Sequence, residues 1–82
     1  MKYILKPHAK KRMRERLISE ITLRDALDNP TKVGYDAHGR ILIKKLYQKN
    51  KKERLLFVVC EMTANILEII TVIETSKVKK YL

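Results

Sequence analysis

Arg54-Leu55-Leu56-Phe57-Val58-Val59-Cys60-Glu61 and Ile66-Leu67-Glu68-Ile69-Ile70-Thr71-Val72-Ile73-Glu74 are two runs rich in β-branched and aromatic residues, separated by Met62-Thr63-Ala64-Asn65. That composition predicts two neighbouring strands joined by a turn. Neither strand alternates cleanly. Leu55, Phe57 and Val59 fall on one face of the first, and Leu56, Val58 and Cys60 on the other. In the second, Leu67, Ile69 and Ile73 oppose Ile66, Ile70 and Val72. A sheet that is apolar on both faces needs cover on both.

Working outward, Lys32-Val33-Gly34-Tyr35 reads as a strand, Ala37-His38-Gly39-Arg40 as its turn, and Ile41–Tyr47 as the next strand. The polar stretch Gln48–Glu53 reads as a longer loop. Tyr3-Ile4-Leu5 is a short candidate strand before Pro7. Proline suits the first position of a helix, where its missing N–H would be unpaired anyway. The spacing of Ala9, Met13 and Leu17 predicts a helix from Pro7 to Leu17. Ser19 is an N-cap for a second helix with Leu23, Ala26 and Leu27 inward, and Asn29-Pro30 ends it. These elements predict one α+β domain over 1–82: an N-terminal helical hairpin packed on a twisted antiparallel sheet of about four strands. The helices cover one face. The C-terminal tail, a second copy or a partner must cover the other.

Eighty-two residues make one small domain, and a hydrophobic fraction of 45% excludes a wholly disordered chain. Cys60 stands alone, so no internal disulfide forms, and no His/Cys cluster has zinc-ligand spacing. No cofactor and no metal are expected. The first residues carry no apolar stretch of signal length, and the longest apolar run is far short of the roughly 18 residues of a membrane helix. A cytoplasmic location without membrane contact is the expectation.

Charge points to a partner. Nineteen Lys and Arg oppose nine Asp and Glu, for a formal net charge of +10. Residues 1–16 hold seven of those cations against one Glu. Cations at a helix start oppose the macrodipole, so helix stability does not account for them. A polyanionic partner does, nucleic acid being the commonest one. His8, Arg12 and Arg16 recur every four residues and share a helix face. Two readings of each stay open. The His8 imidazole is placed to move a proton or donate to phosphate, or else it is a structural histidine at a strand end. The arginines clamp successive phosphates, or one pairs with Glu20, Asp25 or Asp28 and pins the hairpin. Lys10 and Lys11 add to the field. Lys44 and Lys45 interrupt an apolar strand and face opposite ways, Arg54 opens the next strand, and Lys80-Tyr81 ends a basic tail. The Tyr81 ring either stacks on a base, assists proton transfer or packs on the open sheet face.

His8-Ala9-x-x-Arg12-Met13-x-x-Arg16, then Ile18-Ser19 and Ala26-Leu27-x-Asn29-Pro30, resemble the small prokaryotic proteins of domain-of-unknown-function family 4258. Arg54-Leu55, Ile70-Thr71-Val72-Ile73 and the closing Lys80-Tyr81 extend the resemblance over nearly the whole chain. Leu17 departs from it, since the family usually has glycine after the second arginine. The resemblance implies a fold similar to the RelE/ParE toxin superfamily, some of whose members cleave messenger RNA on the ribosome. Those ribonucleases carry Lys and Arg on the sheet face, often with a C-terminal Tyr or His.

The resulting expectation is a toxin-like basic protein acting on RNA or the ribosome, in one form a metal-independent mRNA endoribonuclease of a toxin–antitoxin type. In that form His8, Arg12, Arg54 and Tyr81 are catalytic, and Lys10, Lys11, Arg16, Lys44 and Lys80 bind nucleic acid. The alternative is an inactive toxin relative: a non-catalytic nucleic-acid-binding or protein-interaction module. An acidic antitoxin or a second copy is the expected partner for the open sheet face.

Overall fold

A computed structural model of the chain describes residues 2–82. In order come β1 (Tyr3–Leu5), α1 (Pro7–Arg16), α2 (Glu20–Asp28), β2 (Lys32–Tyr35), β3 (Ile41–Lys49), β4 (Lys52–Thr63), β5 (Ile66–Thr75) and α3 (Val78–Tyr81). The strands form one sheet in the order β1-β5-β4-β3-β2. The α+β class holds, with two corrections. Among the described residues the sheet has five strands, and it is mixed, because β1 pairs parallel to β5 while the other pairs are antiparallel. A three-residue run such as Tyr3–Leu5 carries no alternation signal of its own; the Leu5–Ile69 and Tyr3–Leu67 register with β5 makes it a strand.

The helices pack on the sheet more than on each other. α1 lies over β5, and α2 over β3 and β4, so the expected helical hairpin is two helices laid separately on one sheet face. Helix α1 stops at Arg16 because Leu17 turns left-handed (φ 54°), and its N–H and that of Ile18 return to the Arg14 and Met13 carbonyls. This is the C′ position that ordinarily takes glycine. Ser19 caps α2, its hydroxyl accepting from the Thr22 N–H at 3.1 Å.

Both long hairpins are tighter than expected. β3 and β4 run through the supposed loop at Gln48–Glu53 and turn on Asn50-Lys51, both at positive φ. Ala64-Asn65 does the same between β4 and β5. Two consecutive left-handed residues match the right-handed twist of the flanking strands. The polar composition of Gln48–Glu53 hid the strand ends, which project beyond the core. A register shift at Val59/Cys60 leaves Ile70 as the extra residue on β5 and bends the pair there.

Leu56, Val58 and Cys60 of β4 face the helices and join Ala9, Met13, Leu23 and Ala26 in the main core. Leu55, Phe57 and Val59 face the other way. There the chain's own tail supplies cover: α3 seats the Tyr81 ring edge-on against Phe57, centroids 5.7 Å apart. The cover is partial. Leu55 is buried, but Ile73 on the same face stays 46% exposed. Among the described residues no helix is long and apolar enough to cross a membrane.

Candidate nucleic-acid interface

On α1 the apolar stripe Ala9–Met13 is turned to the core, which sends His8 and Arg16 into solvent and leaves Arg12 half-exposed. Arg12 makes a loose pair with Glu15 at 3.9 Å, one turn on. Such an exposed pair is worth little and leaves the guanidinium available. The three residues of the motif are thus not consumed by internal bonding to the second helix. Glu20 pairs with Arg24, and Asp25 with Lys45 and Asn29. Of the two readings of Arg12 and Arg16, the one in which an arginine pairs with Glu20, Asp25 or Asp28 and pins the helices is not how they are held.

Another set of residues does the holding. Lys49, at the end of β3, donates to the Arg16 carbonyl at 2.6 Å and lies 3.2 Å from a Glu74 carboxylate oxygen. Tyr47 donates its hydroxyl to the same carboxylate. Burial pushes the Glu74 carboxyl up from its ordinary range, and the nearby Arg16 charge opposes that rise. Sequence reading missed Tyr47, Lys49 and Glu74. The strand alternation that places Tyr47, Lys49 and Glu74 on the helix face is the available signal, but Lys49 falls in the polar stretch that reads as a loop.

Arg54 stands opposite Tyr47 on β4, and alternation with Leu56 and Val58 puts it on the helix side of the sheet. His8, Arg12, Arg16 and Arg54 therefore lie on one side. Lys10 and Lys11 are exposed on α1. Lys44 and Tyr81 lie across the sheet. The Lys44 ammonium donates to the Tyr81 carbonyl at 2.6 Å and sits 5.7 Å above the Phe57 ring. Lys80 shares α3 with Tyr81, its ammonium 5.3 Å from that ring. One centre containing both His8 and Tyr81 is not assembled: the sheet separates them. Lys45 faces the helices as its neighbour does not, donating to the Asn29 carbonyl at 2.7 Å.

No group of three or more His, Cys, Asp or Glu among the described residues could hold a metal ion. Cys60 is buried, and desolvation pushes its thiol up to about 11, away from the reactive thiolate.

Fold and surface together define a small basic α+β domain whose cationic first helix is clamped over the end of a mixed sheet. The chain belongs to the family described as domain of unknown function (DUF4258), whose model matches residues 5–74. No curated protein and no solved structure matches it.

Proposed function

We propose that this is a toxin-like basic domain, related to the RelE/ParE superfamily, that acts on RNA through the exposed face of α1 and the adjoining end of β3 and β4. The observation carrying this reading is the Lys49–Arg16 contact, which brings the hairpin cations alongside the helix cations. Successive turns set Arg12 and Arg16 about 6 Å apart along the axis, so two planar guanidinium groups can engage neighbouring phosphates. Arg54 and the exposed Lys51 and Lys52 extend the positive surface past the helix end.

Cleavage adds one chemical step. A base takes the proton of a 2′-hydroxyl, that oxygen attacks the adjacent phosphorus, the bond from phosphorus to the 5′-oxygen breaks, and the 5′-oxygen takes its proton from water. His8 is the base on the α1 face, with Arg12, one turn along, opposing the charge that builds on phosphorus, while Arg54, past the far end of the helix, holds a more distant phosphate. The partly open sheet face around Ile73 supports a second reading, an acidic antitoxin or a second copy docked there.

The test is incubation of the protein with single-stranded RNA and with translating ribosomes, followed by analysis of RNA ends. Binding with 2′,3′-cyclic phosphate ends, lost in His8→Ala, supports the ribonuclease. Binding without cleavage supports the non-catalytic module. Absence of both binding and cleavage overturns the proposal.

A further inference from the structure

We propose that the groove between α1, the start of α2 and β1 receives an acidic peptide segment of a partner protein, anchored by an apolar side chain. The groove is shallow and open, with room for about 610 Å³, and Leu5, Met13, Leu17 and Ile18 supply its apolar lining. Lys10 and Arg14 line it from α1. A second hollow shares Leu5 and Lys10 with it and adds Lys2 and Arg24. The one carboxylate on the shared wall, Glu20, is paired with Arg24 at 3.7 Å. Cations therefore outnumber anions around an apolar floor.

Leu17 is the feature that packing does not explain. It holds a left-handed backbone at φ 54° and is 82% exposed. A left-handed leucine carries a backbone cost that glycine would remove. Beyond the Ser19 cap, Ile21 is also 80% exposed. Strain and exposed apolar surface at Leu17, on the groove wall, mark a place where something docks. β1 has a strand neighbour on one side only, so its outer edge adds main-chain groups for an extended segment.

The charge selects the occupant. At this groove a second copy, also at +10, brings no net negative charge to meet the cationic rim. RNA matches the cations but gains nothing from the apolar floor. An acidic segment with a leucine-like anchor satisfies both. This inference does not depend on the RNA reading, since Leu17 and Ile21 contribute nothing to phosphate binding.

The experiment is fluorescence anisotropy with three short labelled peptides: alternating leucine and glutamate, alternating leucine and lysine, and glutamate only. The leucine–glutamate peptide alone is expected to bind. Leu17→Asn keeps a residue that tolerates the left-handed backbone, and it should weaken binding about tenfold or more, as should Lys10→Glu with Arg14→Glu. Lys79→Glu on α3 should leave it unchanged, and Leu17→Asn should leave RNA binding unchanged. Failure of the leucine–glutamate peptide to bind overturns the proposal. So does equal binding of either control peptide, or indifference to Leu17→Asn. A wild-type dimer that Leu17→Asn dissociates overturns it in favour of a second copy.

Discussion

The Lys49 ammonium joins the Arg16 carbonyl to the Glu74 carboxylate, at 2.6 and 3.2 Å, and so ties the last turn of α1 to both β3 and β5. A helix C-terminus leaves carbonyls unpaired, and a cation there satisfies one of them while complementing the dipole. The contact fixes where the cations of the helix stand relative to those of the hairpin. Lys49→Ala should lower unfolding free energy by about 1–2 kcal/mol, because it leaves a half-buried carboxylate with one cation fewer. Urea unfolding measures this, and an unchanged midpoint would show that the clamp contributes nothing.

Leu17→Gly should raise stability by about 1 kcal/mol, since glycine takes the left-handed C′ position without strain. Thermal unfolding is the check. A lower melting temperature would mean that the exposed leucine makes a stabilising contact in the free protein.

The pH profile should show opposing contributions. Asp36 is lowered from 3.8 although burial works against it, because the Arg40 and His38 N–H groups and the Arg40 guanidinium favour its charged form. Asp25 is lowered by the Asn29 amide and by Lys45. Each contributes stability above 3.8 that is lost as pH falls through its depressed value. Glu74 has the opposite sign: burial raises it above 4.5, so its contribution is present below 4.5 and lost as pH rises through the raised value. Asp36→Asn should therefore flatten the acid limb, and Glu74→Gln should flatten the fall on the neutral side. Unfolding free energies across acid and neutral pH decide both.

Cys60 should resist thiol reagents at pH 8 in the folded protein and react fully in denaturant. Its thiol is buried and pushed up to about 11. Rapid labelling of the native protein would contradict the buried position on β4.

Much of this architecture is legible in the residues themselves. Val58 and Val59 announced a strand apolar on both sides, and the prediction that both faces need cover is met by α1 and α2 on one and partly by α3 on the other. Lys44 and Lys45 face opposite ways, as alternation requires. Asn50-Lys51 was not recognised as a two-residue turn, because lysine gives no left-handed signal and the flanking polar residues mimic a loop. That error concealed Lys49, and with it the clamp. The separation of Tyr81 from His8 was also hidden, since nothing in a basic tail states which sheet face it will cross.

The salt dependence of RNA binding tests the central reading most directly. With single-stranded RNA of fixed length, wild type should bind with a steep slope of affinity against salt concentration. Arg12→Ala, Arg16→Ala and Arg54→Ala should each reduce that slope by roughly one phosphate contact, or about 0.7 for a single strand. A slope unchanged in all three variants would place the RNA elsewhere, and salt-insensitive binding would remove the electrostatic interface altogether.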